Sequence, residues 1–141
     1  MAHAQKVLID EDFLRHMILN GLRAHRTRFR SEFGELVLCV DSGNYWRKDI
    51  FPYYKAMRAS AREQSPINWP EVFSHIDKIR LEIKTVFPYR YVRVDKAEAD
   101  DIIAVLVEDH TEENFIGTKK STVPILILSS DKDFIQLHCQ E

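Results

Sequence analysis

Apolar positions along the chain fall into two alternating periods. Phe13, Leu14, Met17, Ile18 and Leu22 keep helical spacing behind Asp10 or Asp12, either of which can cap a helix that runs out in RAHRTRFR. ELVLCVD (35–41) is a short run of β-formers ending on an acid, a buried-strand pattern. PYYKAMRASARE predicts a helix with Pro52 in its first turn, and PEVFSHIDKIRLEIKTVF another with Pro70 near its start. YRYVRVD (89–95) alternates like a strand, and AEADDIIAVLVEDH is helical with Ala99, Ile102, Ile103 and Leu106 as its inward stripe. VPILILSSD (123–131) is the most apolar run and predicts a strand buried on both faces.

Strands alternating with helices imply right-handed crossovers, so the expected fold class is α/β, a parallel sheet flanked by helices. Ligands gather at the carboxyl ends of such strands. The 141 residues fit a single domain able to bury a core. No apolar run approaches the length of a membrane span. The N-terminus MAHAQKVLIDED lacks a signal-peptide layout, so the expected compartment is the cytoplasm. Cys39 and Cys139 form no C-x-x-C and the six His residues show no ligand spacing, which argues against a disulfide framework or a zinc site. A net charge of −2 makes no global case for nucleic acid, so any such case is local.

The acids stand where the strand-end rule points. The first strand ends at Asp41, the last predicted strand at Asp131 with Asp133 beyond it, and the helix carrying Glu98, Asp100 and Asp101 begins just after strand 89–95. Each acid alone has an ordinary explanation, such as complementing a helix macrodipole. Jointly they predict six carboxylates on one edge of the sheet. Two unit charges about 4 Å apart repel by about 4 kcal/mol at an effective dielectric near 20, so such a cluster calls for a cation. All-oxygen ligation points to Mg²⁺ or Mn²⁺, and two such ions can drive phosphodiester hydrolysis.

Between the first strand and the next helix, NYWRKDIFPYYKAMRASAR holds Arg47, Lys48, Lys55, Arg58 and Arg62 against the single acid Asp49, interleaved with Trp46, Tyr53 and Tyr54. Lys55, Arg58 and Arg62 predict one basic helix face. Cations among aromatics suit the phosphates and bases of a nucleic acid, although a solvated amphipathic helix explains them as well. The arginines of RAHRTRFR read as charge bias at a helix C-terminus.

With these residues in hand, the stretches RHMILN, LVLCVD, YWRKD, YYK, DKAEADDIIAVLV and ILSSDKDFIQLH resemble the phage members of the flap-endonuclease and 5′→3′ exonuclease family, over nearly the whole chain. The resemblance implies a PIN-like core, incomplete here, in a single domain over 1–141 with a basic arch-like segment at 44–64. It implies that Asp41, Glu98, Asp100, Asp101, Asp131 and Asp133 are metal-site acids. Arg47 and Lys55 match the basic residues that grip the scissile phosphate, while Tyr54 and Arg58 support them. The implied activity is Mg²⁺-dependent removal of RNA primers and flaps from 5′ ends of DNA and RNA–DNA hybrids, a flap-endonuclease and ribonuclease H activity, in the host cytoplasm if phage-encoded. Two ions are expected, with Mn²⁺ able to substitute.

The family also opens with an apolar strand ending in a metal-binding Asp, and continues past the D-x-D with a further strand and a helical duplex-binding region. VLID with Asp10 is a superficial match to the first strand, but DEDFLRHMILN aligns with a later helix, so Asp10 is expected to cap. The expectation is therefore a gene fragment or one part of a split nuclease whose missing parts a separate chain supplies, marginal or aggregating alone. The competing reading is a catalytically inactive nucleic-acid-binding module. A phosphatase using D-x-D fits less well, because here D-x-D comes late and SGN follows Asp41.

Overall fold

The computed structural model describes residues 6–113, 119–121 and 123–138. Helix α1 (Glu11–Phe33) starts where Asp10 accepts the Phe13 backbone N–H at 2.8 Å. It ends at Gly34, whose φ of 80° suits a residue without a Cβ. Asp10 is thus the cap the sequence predicts. Asp10→Ala is expected to cost about 1 kcal/mol in a urea melt.

Strand β1 (Val37–Cys39) follows, then α2 (Trp46–Ile50), α3 (Ala56–Gln64), α4 (Trp69–Val86) and β2 (Arg90–Val92). β1 and β2 pair in parallel, Val37 opposite Arg90 and Cys39 opposite Val92. Helix α5 (Ala99–Asp109) leads into an antiparallel pair, β3 (Thr111–Glu113) with β4 (Lys119–Ser121), and a 3-10 helix at Lys132–Leu137 closes the described chain. The long helix α4 supplies Val72, Ile79 and Ile83 to the core, and α5 supplies Ile102 and Val107; Phe134 joins them from the 3-10 helix. α1 lies along α4, fastened by Arg15–Glu82 at 2.9 Å and Lys78–Glu11 at 2.9 Å.

The fold is α/β with a parallel sheet, as the alternating periods predict, but the sheet is smaller than expected. Run 123–131 is not a strand. Among the described residues β1 pairs with β2 alone, and between β1 and residues 123–128 lies an apolar cavity of about 600 Å³. A strand needs a neighbour at about 4.8 Å to complete its hydrogen bonds, and across this gap the run has no ladder to join. Val123, Leu126 and Leu128 consequently stay substantially exposed. The inward stripe of α5 also differs. Ile102 and Val107 are buried, whereas Ile103 and Leu106 are only half-buried and, with Val107, line the cavity.

The helix expected from Pro52 onward is split. α2 stops before Phe51, a turn carries Pro52, and Lys55 takes a left-handed backbone (φ 58°) before α3 begins. Proline has no N–H with which to continue the ladder of α2, and a left-handed residue cannot sit inside a right-handed helix. Cys39 is a free, partly buried thiol whose pKa burial pushes up; Cys139 lies outside the described residues. Among the described residues no helix is long and apolar enough to cross a membrane.

Candidate metal centre and basic arm

Asp41 stands two residues beyond β1, and its Oδ1 accepts the Ala99 backbone N–H at 2.7 Å, tying the strand end to the start of α5. Arg93, next to the end of β2, donates to the Asp41 and Ser42 carbonyls at 3.3 and 2.5 Å. The Ser42 and Trp46 backbone N–H groups bond the Ala97 and Lys96 carbonyls at 3.1 and 2.9 Å. These bonds hold segment 41–46 against segment 96–101, so the acid of one strand end meets those of the helix that follows the other.

Glu98 is buried, 3% exposed. Its Oε1 receives the Lys55 ammonium, and its Oε2 receives Arg47 Nη1 at 2.9 Å and the Tyr54 hydroxyl at 2.8 Å. Asp101, one turn on, accepts both arms of the Arg47 guanidinium, at 2.8 Å on Oδ2 and 2.7 Å on Oδ1. It also accepts Trp46 Nε1 at 3.2 Å and the Glu98 backbone N–H at 3.0 Å. The guanidinium lies over the Trp46 ring at 4.5 Å, and Lys55 lies 5.0 and 5.1 Å from the rings of Tyr45 and Tyr54. The basic arm is therefore folded down onto two of the acids.

Neighbouring carboxylates experience opposite fields. Hydrogen bonds from Arg47, aided by the Glu98 backbone and Trp46 and opposed by burial, hold Asp101 down to about 2. Burial works against ionised Glu98, but Lys55, Tyr54 and Arg47 outweigh it and keep its pKa below the usual range. Lys55 in turn is pushed up by Glu98 in spite of its own burial. Asp100 shifts the other way: burial, and then the negative charges of Asp131, Asp41 and Glu98, push its pKa up. Asp101 is bonded to a cation, whereas at Asp100 the like charges outweigh the opposing charge of Lys55.

A carboxylate with a depressed pKa stabilises the folded state above its unfolded value of 3.8, and that contribution is lost as pH falls through about 2. Acidification through this window is expected to weaken arm docking by about 1–2 kcal/mol after solvent screening, read as a red shift of Trp46 emission in a Trp69→Phe background.

Of the six predicted metal-site acids, Asp41, Glu98, Asp100 and Asp131 stand close enough for mutual repulsion to be felt at Asp100. Asp133 lies in the first turn of the 3-10 helix, where its backbone N–H donates to Asp131 Oδ1 at 2.9 Å. Among the described residues no three His, Cys, Asp or Glu side chains are near enough to hold one ion. Among the described residues the six acids are therefore not gathered at one ligating distance. Glu98 and Asp101 are occupied by the cations of the arm, Glu98 by Lys55 and Arg47 and Asp101 by Arg47. The donor chemistry still fits Mg²⁺, because an all-oxygen set with one acid destabilised by its like-charged neighbours is what a hard divalent cation relieves.

The single basic helix face is also corrected. Lys55 sits in the turn before α3 and reaches Glu98, Arg58 is exposed on α3, and Arg62 lies over the Phe73 ring at 5.7 Å, away from the acids. Lys48 is exposed beside Tyr45, at 5.2 Å. Two contributors escape a reading of the sequence. Tyr45 underlies both Lys48 and Lys55, and the adjacent aromatic pair at 45–46 was its only signal. Arg93 clamps the loop after β1, and nothing in the run 89–95, which also carries Arg90, sets it apart.

Comparison with known proteins identifies the family. The chain is 40% identical over 136 residues to Ribonuclease H of Enterobacteria phage T4, an alignment covering 94% of the chain and 42% of that protein. The chain thus spans less than half the length of the relative it matches. Residues 14–141 match the family described as 5′-3′ exonuclease, N-terminal resolvase-like domain. By sequence and by its α/β core, the chain belongs to the 5′-3′ exonuclease family.

Proposed function

We propose that the chain carries the catalytic edge of a Mg²⁺-dependent 5′→3′ exonuclease and flap endonuclease with ribonuclease H activity, acting on 5′ ends and flaps of DNA and RNA–DNA hybrids during phage replication. The observation that carries this reading is the juxtaposition of two opposite charge sets. Asp41, Asp100 and Asp131 form an acidic side, and Arg47 and Lys55 form a basic side that meets it at Glu98 and Asp101. The acidic side, with Asp133, would hold one or two Mg²⁺ or Mn²⁺ ions, which supply Lewis acidity for phosphodiester hydrolysis. The basic side would bind the phosphate to be cut, with Trp46 and Tyr54 available for stacking and Lys48, Arg58 and Arg62 contacting the backbone farther out. The name of the phage T4 relative supports the RNA-containing substrate. The reading treats 1–141 as one partial domain with an arch at 44–64, working in the host cytoplasm.

Completion by a separate chain belongs to the same proposal. The apolar cavity between β1 and residues 123–128 has the character of a strand slot, with an unextended parallel sheet on one side and a β-rich run on the other. Such an open edge is normally paired or covered. A second reading, an inactive nucleic-acid-binding module, is favoured by one observation: Arg47 and Lys55 are spent on the acids, and among the described residues no three acids share ligating distance.

The test is cleavage of 5′-flap DNA and of an RNA–DNA hybrid with Mg²⁺, with Mn²⁺ and with EDTA, beside Asp131→Asn. Metal-dependent cutting lost in the variant is the expected result. Flap binding without any cutting, by a folded protein, would replace it with the binding module.

A further inference from the structure

Resting on the reading above, we infer that Asp101 is a positioning residue for Arg47, and through it for the whole basic arm, rather than a ligand of the catalytic cation. Its bonds separate it from the other acids. A carboxylate offers about four lone-pair sites, and four donors already converge on Asp101: both arms of Arg47, Trp46 Nε1 and the Glu98 backbone N–H. The guanidinium spans both oxygens at 2.8 and 2.7 Å, so a cation there would face a fixed positive charge across the same carboxylate. Asp100, the next residue, accepts no hydrogen bond from any cationic side chain among those described, and it directly follows Ala99, whose backbone N–H donates to Asp41 Oδ1 at 2.7 Å.

What Asp101 holds is more than one side chain. The guanidinium it clamps lies over the Trp46 ring at 4.5 Å and 6.0 Å from the Tyr54 ring, and it also reaches Glu98. Trp46 and Arg47 open α2, the first element of the arm, so the bonds at Asp101 fix where the arm begins relative to the acids. An Arg fork on a carboxylate sets both distance and plane, which a point-charge contact does not. In this arrangement the consecutive acids of α5 divide the work: Asp100 faces the cation side and Asp101 the arm.

The experiment uses Mn²⁺ alone as probe, followed by electron paramagnetic resonance, together with Trp46 emission in a Trp69→Phe background. Asp101→Asn, which keeps an acceptor for the Glu98 backbone N–H, is expected to leave Mn²⁺ affinity essentially unchanged. Asp100→Asn is expected to weaken it by more than about 10-fold. Without metal, Arg47→Gln and Asp101→Asn are each expected to shift Trp46 emission, and the double variant no further than either, because both break one contact. Asp101→Asn weakening Mn²⁺ as much as Asp100→Asn would overturn the inference. So would Trp46 emission that moves with Arg47→Gln but not with Asp101→Asn. If Asp101→Asn does not fold, Arg47→Lys reads the same fork, and unchanged Trp46 emission there would also overturn it. Absence of Mn²⁺ binding in the unsubstituted chain would instead refute the metal site itself, leaving the emission cycle to decide the role of Asp101.

Discussion

Ile79→Ala is expected to abolish the cooperative thermal transition of the chain above room temperature. Ile79 is the most completely buried large side chain among the described residues, 1% exposed, and it stands midway along α4. Truncating a buried isoleucine removes its transfer energy and leaves a cavity, at a cost of about 2–5 kcal/mol. A whole domain is stable by only about 5–15 kcal/mol, and among the described residues the buried apolar set is Val72, Ile79, Ile83, Ile102, Val107 and Phe134. A core so small, beside an open cavity of about 600 Å³, has little to spare. Leu81→Ala, on the exposed side of the same helix, serves as the control and is expected to cost no more than about 0.5 kcal/mol. Circular dichroism melts of both variants decide the matter. Equal, small losses would show that α4 is not the organising element.

Asp100→Asn is expected to move stability and cation binding in opposite directions. The pKa of Asp100 is raised, by burial and then by Asp131, Asp41 and Glu98. For an acid, a raised folded-state pKa means that the ionised form is strained by the fold. The penalty is present above the folded pKa and is relieved as pH falls through it. Removing the charge at neutral pH relieves the same penalty. Because Asp100 is exposed and solvent screens it, the gain is only about 0.5 kcal/mol in metal-free buffer. Mg²⁺-dependent cleavage should fall by more than the roughly 10–100-fold typical of losing a partner outside the ligand set. A metal-free melt and a cleavage assay on one preparation check both signs. A variant that is less stable and still active would remove Asp100 from the acidic side.

Much of this architecture is legible in the sequence, and the misreadings have physical causes. Helices α1, α4 and α5 carry the 3.6-residue period over 11 or more residues, and their start signals are local, as the Asp10 cap shows. Strands β1 and β2 are legible from composition, but strand formation at 123–131 is not, because an apolar run reports burial and pairing depends on a partner elsewhere in space. The break before α3 is hidden for a different reason: a left-handed Lys55 carries no glycine or asparagine signature.

At the site, the strand-end rule finds Asp41 and the start of α5, and composition finds the basic arm. Neither reveals how the two meet. Asp100 and Asp101 are neighbours in sequence, yet about 100° of helical rotation separates an acid among acids from an acid gripped by Arg47, a residue 54 positions away. Only tertiary placement distinguishes them. The same holds for Lys55, which reads as one step of a basic helix face and instead reaches across to buried Glu98.

In the proposed function three separate segments share one divalent-cation site beside the basic arm. Paramagnetic broadening by substoichiometric Mn²⁺ in the amide spectrum of the ¹⁵N-labelled chain tests it most directly. Selective loss of signals at 41–42, 98–101 and 131–133, with recovery on adding EDTA, is the expected result. Broadening confined to other acidic positions such as Glu63 or Glu71, or spread evenly over the chain, would contradict it.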